Sequence, residues 1–185
     1  SGLSNSTRGL FIAGADGGTF LNTIDYITIA STGNATDFGD TNSTRQGTGA
    51  CASPTRGVFA GGINSGYTRI NIIAYVTIAS ASNDSDFGDL TGGRYLFPGC
   101  SSSTRGLFGG GNEGGSEINV IEYITIASTG NSADFGDLTI SIQQLSALSS
   151  ETRGVFGGGR LSNGQATNVI QHVTIASTGN ATDFG

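Results

Sequence analysis

The chain has no lysine, methionine or tryptophan, and only one histidine and two cysteines among its 185 residues. Without lysine, a glycine-rich phosphate loop lacks the amine that reaches the phosphates. One histidine and two cysteines in unrelated positions cannot supply the usual ligands of a zinc site. A Ser-His-Asp triad would depend on His172, which we expect to be a packing residue. We therefore predict no catalytic residue, no metal site and no cofactor.

The charge and the hydropathy of the chain exclude two classes of partner. The formal net charge is −6, and all eight cations are arginines. Phosphate neutralisation supplies most nucleic-acid affinity, so we expect an acidic chain without a basic run to bind no nucleic acid. No apolar stretch approaches about 18 residues, which predicts no membrane insertion. Because the chain starts at Ser1 and lacks methionine, we expect a processed chain or a segment of a longer one.

Internal repetition is the strongest pattern in the sequence. Three landmarks recur in four copies with a period of about 48 residues: Thr-Arg-Gly, an aromatic slot and Asp-Phe-Gly. The spacing varies only between the glycines after Thr-Arg-Gly and the aromatic slot, which indicates a loop there. The landmark residues are Arg8, Arg56, Arg105 and Arg153; Tyr26, Tyr75, Tyr123 and His172; and Asp37, Asp86, Asp134 and Asp183.

Each copy is predicted to form four short strands and almost no helix. The third strand, as in Asn119–Ala127, is β-branched and apolar on both faces, which is typical of a strand covered on both sides. No segment shows a 3.6-residue period with caps. One slot at the end of the first strand accepts Leu or Cys, which predicts buried free thiols rather than a disulfide. That slot holds Leu3, Cys51, Cys100 and Leu148.

Four-stranded units at this period are typical of β-propeller blades. The predicted fold is an all-β propeller of four-stranded antiparallel blades, with residues 1–185 as a single domain or segment. A blade cannot bury both faces alone, so neighbouring blades must stack on it. Four blades could close a ring, or belong to a larger ring or to one shared between chains. We expect the glycine-rich second strands to lie near the axis. The predicted blades span about 1–44, 45–93, 94–141 and 142–185.

The order of residues in each copy resembles the kelch repeat, which implies a propeller fold. The matching residues are Arg45 and Arg94 before a first strand, the diglycines Gly61-Gly62 and Gly110-Gly111, the tyrosines Tyr26, Tyr75 and Tyr123, and Phe38, Phe87, Phe135 and Phe184 where kelch repeats have tryptophan. Two departures are Ala13-Gly14 in place of a diglycine, and Gln143 or Gln144 in place of a leading arginine. The near-verbatim copies also resemble repeats in uncharacterised structural proteins of marine and cyanobacterial phages.

Two repeated polar patterns have more than one explanation. In an up-and-down blade, the Thr-Arg-Gly turn and the turn before Asp-Phe-Gly lie on the same side, and the arginine fork can grip a carboxylate. We therefore predict structural ion pairs between Arg8, Arg56, Arg105 and Arg153 and the repeat aspartates Asp37, Asp86, Asp134 and Asp183. The Asp-x-x-Asp pairs, such as Asp37 and Asp40, could bind Ca²⁺, but turn capping by aspartate is the interpretation we favour.

The loops between strands 2 and 3 differ most among the copies. Binding residues are disproportionately on loops that a rigid scaffold holds, although loops also simply tolerate sequence drift. The predicted binding face contains Asp16, Phe20, Tyr67, Arg69, Glu113, Glu117 and Arg160.

These observations predict a non-catalytic structural or binding module. We expect a virion-associated protein of a phage tail, fibre or decoration, or an extracellular protein, that contacts other protein subunits or surface glycans. One alternative is a carbohydrate-active, sialidase-like enzyme, which would need an arginine cluster and a carboxylate pair around the axis. Another is an intracellular kelch-type adaptor. An acid or arginine outside the repeat slots that points into the central mouth would favour the enzyme.

Overall fold

The computed structural model of the chain spans residues 1–185 and contains strands and turns but no helix, which confirms the all-β prediction. Each of the four copies forms one antiparallel four-stranded sheet, with its strands in chain order. Sheet 1 contains β1 (Gly2–Ser4), β2 (Arg8–Asp16), β3 (Thr19–Thr28) and β4 (Thr36–Asp40). Sheet 2 contains β5 (Gly49–Ala52), β6 (Arg56–Ala60), β7 (Ile72–Thr77) and β8 (Ser85–Asp89).

The third and fourth copies follow the same plan. Segments of the third copy also form one short additional sheet. This additional sheet contains β9 (Arg94–Tyr95), β12 (Asn112–Glu113) and β13 (Ser116–Glu117). Sheet 3 contains β10 (Gly99–Ser101), β11 (Arg105–Gly109), β14 (Val120–Thr125) and β15 (Ala133–Asp137). Sheet 4 contains β16 (Ser146–Ser149), β17 (Arg153–Gly157), β18 (Ile170–Thr174) and β19 (Thr182–Asp183).

The additional sheet lies in segments that were predicted to be loops. Isolated bridges occur at the corresponding places in two other copies, where Gln46 pairs with Ile63 and Gln143 pairs with Arg160. The loop after strand 2 and the linker before strand 1 thus satisfy each other's backbone groups, as buried backbone requires.

The four sheets stack face to face, and three hydrophobic cores fill the spaces between consecutive sheets. We call the side of a sheet that meets the next copy its forward face, and the opposite side its backward face. In the first core, the forward face of sheet 1 contributes Leu3, Ile24 and Phe38, and the backward face of sheet 2 contributes Phe59 and Ile78. β-Branched and aromatic residues on both faces of the central strands therefore form the sheets and also join them.

Glycines of the second strands allow this close stacking. A Cβ atom added to Gly57 would lie 2.6 Å from Cδ1 of Leu3 in the preceding sheet, and one added to Gly154 would lie 3.0 Å from Sγ of Cys100. The first strands of consecutive sheets also lie next to one another: β1 contacts β5, β5 contacts β10 and β10 contacts β16.

The stack is open at both ends. Phe11 and Ile29 on the backward face of sheet 1 are 55% and 50% exposed. On the forward face of sheet 4, Leu148, Ile170 and Phe184 are 68%, 39% and 53% exposed. Because these positions are buried in the copies that have a neighbour, the exposed residues mark two faces that no sheet covers.

Candidate functional site

The first strands of the four sheets line one shallow cleft of about 210 Å³. Its walls are glycine, alanine, serine, leucine and cysteine residues from β1, β5, β10 and β16, with no acid and no arginine among them. Burial raises the pKa of the Cys100 thiol to about 12, and burial together with the neighbouring Cys100 raises that of Cys51 further still. Both cysteines are free, and both thiols are therefore protonated and unreactive near neutral pH.

The Thr-Arg-Gly arginines do not form the ion pairs with aspartates that the sequence predicted. Instead, Nη1 of Arg8 donates to the carbonyl of Ile78 in the next sheet at 2.8 Å. Arg56 and Arg105 repeat this bond at the same distance, to Ile126 and Ile175. Each of these carbonyls belongs to the isoleucine that directly follows the third strand of a sheet. The one salt bridge of the structure involves none of these arginines.

The same arginines also stack on the aromatic slot of their own sheet. The guanidinium carbon of Arg8 lies 4.6 Å from the centroid of the Tyr26 ring, and that of Arg56 lies 4.3 Å from the Tyr75 ring. In the last copy His172 replaces the tyrosine and packs edge-on against Phe184 at 5.5 Å. Each of Arg8, Arg56 and Arg105 thus joins two sheets through a carbonyl bond and a cation–π contact.

The single salt bridge joins Arg94 and Glu122, each 1% exposed, at 2.6 Å. Nη1 and Nη2 of Arg94 also donate to the carbonyls of Gly110, Val120 and Phe108, each at 3.2 Å. Burial lowers the pKa of the Arg94 guanidinium, and the Glu122 carboxylate opposes this shift. The carboxylate accepts further bonds from Thr91, so the pair is enclosed and largely satisfied.

The residue that replaces this arginine in the last copy is Ile142, not Gln143 or Gln144 as predicted. The carbonyls of Arg45, Arg94 and Ile142 accept equivalent bonds from Gly14, Gly62 and Gly111. The position of Glu122 in the same copy is taken by Gln171, which is 1% exposed and accepts from the Thr139 backbone amide at 2.6 Å. Both charges of the pair are therefore lost together in sheet 4.

Three contacts between neighbouring copies involve predicted binding residues. The Phe20 and Tyr67 rings pack edge to face at 5.9 Å, and Nε and Nη2 of Arg69 donate to Oδ1 of Asn112 at 3.1 and 2.8 Å. Gln143 donates to Glu117 at 2.8 Å. We define the loop face by the predicted residues Asp16, Phe20, Tyr67, Arg69, Glu113, Glu117 and Arg160.

Within the loop face, Tyr67 is the most exposed large apolar side chain, at 73%. Its φ angle of 57° lies in the left-handed region, which is uncommon for an aromatic residue. Asn64 fixes this turn, because its Oδ1 accepts from the amides of Gly66 and Thr68, each at 3.0 Å. The backbone that carries the Tyr67 ring is therefore held by side-chain hydrogen bonds, and Phe20 packs against the ring.

No group of three or more His, Cys, Asp or Glu residues is placed to hold a metal ion. In the Asp-Phe-Gly-Asp segments, which form fourth strands rather than turns, the amides of Asp40, Asp89 and Asp137 each donate to Oδ1 of an asparagine of the next copy at 3.0 Å. No helix is long and apolar enough to span a membrane.

Sequence reasoning missed two features of these surfaces. It did not find the contact of Arg94 with Glu122, because Glu122 lies in an apolar strand whose other copies carry Asp25, Ala74 and Gln171 there. It also missed Asn112, the buried partner of Arg69. The sequence carries no signal for the pair of Arg94 and Glu122, because the arginine is kept as Arg45 in the copy that has Ala74 at the Glu122 position.

Compared with known proteins, the chain matches no protein-family model, and no curated protein is significantly similar to it.

Proposed function

We propose that this chain is a non-catalytic binding module, built from kelch-like propeller blades, whose loop face contacts surface glycans. The observation that carries the proposal is Tyr67, an exposed aromatic ring on a fixed turn beside charged and amide side chains. Aromatic rings pack on the apolar faces of sugars, and neighbouring polar groups bond to their hydroxyls. The loop face offers both kinds of group.

The propeller arrangement is supported by the position of the first strands. They lie side by side around one cleft, and the second, third and fourth strands of each sheet follow in chain order away from that cleft. Kelch-like blades are likewise four-stranded, antiparallel sheets that stack around an axis. Arg45 and Arg94, buried against the diglycines, fit the role of the arginine in the kelch repeat.

The chemistry of the cleft favours binding over catalysis. A sialidase-like enzyme needs carboxylates and arginines around the mouth of the propeller, and the cleft has only small and apolar residues and two protonated thiols. Fold alone does not give function, so this argument concerns the site. We propose a virion or extracellular setting, such as a phage tail, fibre or decoration, on the basis of the resemblance to phage structural repeats.

Binding to a panel of immobilised oligosaccharides tests the proposal. Tyr67→Ala should weaken binding about tenfold or more, since aromatic residues at the centre of a binding surface contribute more than ~1 kcal/mol. The matched control is Thr129→Ala, an exposed residue in the turn between β14 and β15, and it should bind as the unmodified chain does. Equal binding by both variants would place the site elsewhere, and release of sugar from fluorogenic glycosides would overturn the non-catalytic role.

A further inference from the structure

The uncovered face of sheet 4 repeats a face that is buried in the other sheets. Leu148, Ile170 and Phe184 take the positions of Leu3, Ile24 and Phe38 in sheet 1. The latter are 9%, 0% and 2% exposed, because sheet 2 covers them. The forward face of sheet 4 therefore has the chemistry of an inter-sheet core without its second half. Large exposed apolar patches of this kind mark interaction sites.

The uncovered face of sheet 1 supplies that second half. Phe11 takes the position of Phe59, and Ile29 that of Ile78, both of which are 0% exposed against the preceding sheet. The two ends of the stack are thus the two halves of one interface, which the chain already contains three times between its own sheets.

The polar contacts of the interface point to the same pairing. Arg8, Arg56 and Arg105 each donate to an isoleucine carbonyl of the next sheet at 2.8 Å. Arg153, the fourth member, is exposed and makes no side-chain bond, and the carbonyl of Ile29 accepts none. Sheet 4 placed against sheet 1 of another copy would form the missing fourth bond.

The steric fit is also that of an internal interface. Leu3 packs on Gly57, and the same pair of residue types, Leu148 and Gly9, stands at the open ends. A Cβ atom at Gly9 would meet only Ile27 of its own sheet, at 3.4 Å, so the space above Gly9 is free. Asp25 lies beside Phe11 in this face, and Glu122 occupies the same position in sheet 3, where Arg94 and Thr91 bind its carboxylate.

We infer that a second copy of this chain covers both end faces, with sheet 4 of each copy packed against sheet 1 of the other. Two such contacts bring eight sheets together, within the four to eight blades usual for closed propellers, whereas three copies would exceed that range. Head-to-tail contacts of this kind close into a ring when the rotation permits. This inference rests on the proposal that the sheets are propeller blades.

Disulfide trapping tests the inference. In the double variant Gly9→Cys/Leu148→Cys, mild oxidation should give a covalent dimer, while either single variant should not. The matched control is Leu3→Cys/Gly57→Cys, the equivalent pair of positions across the internal interface between sheets 1 and 2, which should form an intrachain bridge. Light scattering on the unmodified chain should give twice the mass of 18.6 kDa. Phe11→Asp, which changes an exposed side chain, should give a folded monomer.

Four results would overturn the inference. A monomeric mass of the unmodified chain would do so, and so would a dimer that Phe11→Asp leaves intact. Cross-linking of the Leu148→Cys variant alone would show that sheet 4 packs against sheet 4 of the other molecule. A disulfide between the two introduced thiols of the double variant within a monomer would show that four sheets close a ring by themselves. These outcomes are independent of the oligosaccharide assay, because Tyr67 lies outside both end faces. Loss of glycan binding with an intact dimer would fault the proposed function alone.

Discussion

Replacing Glu122 with glutamine removes the only carboxylate that contacts the buried guanidinium of Arg94. The substitution preserves the shape of the side chain and one acceptor oxygen, so it changes the charge more than the packing. Arg94 would remain 1% exposed, with a positive charge that has no counter-charge in contact. Burial of an unpaired charge is among the largest single costs in folded proteins.

The expected loss in the free energy of unfolding depends on the hydrogen bonds that Arg94 keeps. Breaking a buried ion pair by removal of one partner costs about 3–5 kcal/mol. Arg94 keeps its bonds to the carbonyls of Gly110, Val120 and Phe108, so we expect the lower end, about 3 kcal/mol, for Glu122→Gln. Arg94→Ile should cost a similar amount, because it leaves the Glu122 carboxylate buried with only Thr91 and Ser132 as donors.

The double variant Arg94→Ile/Glu122→Gln gives sheet 3 the residues that sheet 4 already has, Ile142 and Gln171. Neutral replacement of a whole buried pair is often harmless, so the double variant should lie within about 1–2 kcal/mol of the unmodified chain. A coupling energy of about 3 kcal/mol or more is expected from the mutant cycle.

Urea unfolding followed by far-ultraviolet circular dichroism measures this cycle, since the chain has no tryptophan to serve as a fluorescent probe. The free energy of unfolding should fall for each single variant and recover for the double variant, with an unchanged slope against urea. Strict additivity of the two single effects, or a cost below about 1 kcal/mol for Glu122→Gln, would refute the reasoning.

The thiols and one glycine allow two further tests. Burial raises the pKa of Cys51 and Cys100 above that of a free thiol. The folded state therefore keeps protons that the unfolded state loses above about pH 9. The free energy of unfolding should fall by about 1 kcal/mol per thiol by pH 10. Urea unfolding should show this extra loss in the unmodified chain but not in Cys51→Leu/Cys100→Leu. Gly136→Ala should destabilise the chain by more than about 2 kcal/mol, since its φ is 141° and a Cβ atom would lie 2.5 Å from the carbonyl oxygen of Gly179. Thermal melts compare this variant with Gly33→Ala, where an added Cβ atom would have no neighbour within 4 Å and where we expect no loss of stability. Equal melting temperatures of the two variants would contradict the steric argument.

The strand plan could be predicted from the sequence because it depends on local patterns that recur. The β-branched run of the third strand, the turn before Arg8 and the slot of Leu3 each recur in every copy, and all mark strands or turns in the structure. The buried state of Cys51 and Cys100 was predictable for the same reason, since leucine occupies their slot in the other copies.

The partners of polar side chains could not be predicted in this way. The sequence placed the Thr-Arg-Gly arginines beside carboxylates, but Arg8 reaches a backbone carbonyl, which carries no sequence information. The alignment of Ile142 with Arg94 was missed because neighbouring glutamines looked more like arginine than isoleucine does. Ile142 lies 11 residues before Arg153, as Arg94 lies 11 residues before Arg105, and the equivalent carbonyl bonds to Gly62 and Gly111 agree with that alignment.

The contrast between Arg94 and Ile142 also bears on how the copies diverged. In a stacked array, each copy contacts only its neighbours, and stability is a sum of unit and interface contributions. A charge pair that lies within one such interface can therefore be lost without affecting the others. Sheet 4 has lost both members and has Ile142 with Gln171, whereas the second copy keeps the buried Arg45 opposite Ala74, where the Gly61 carbonyl and Oδ1 of Asn42 accept from its guanidinium.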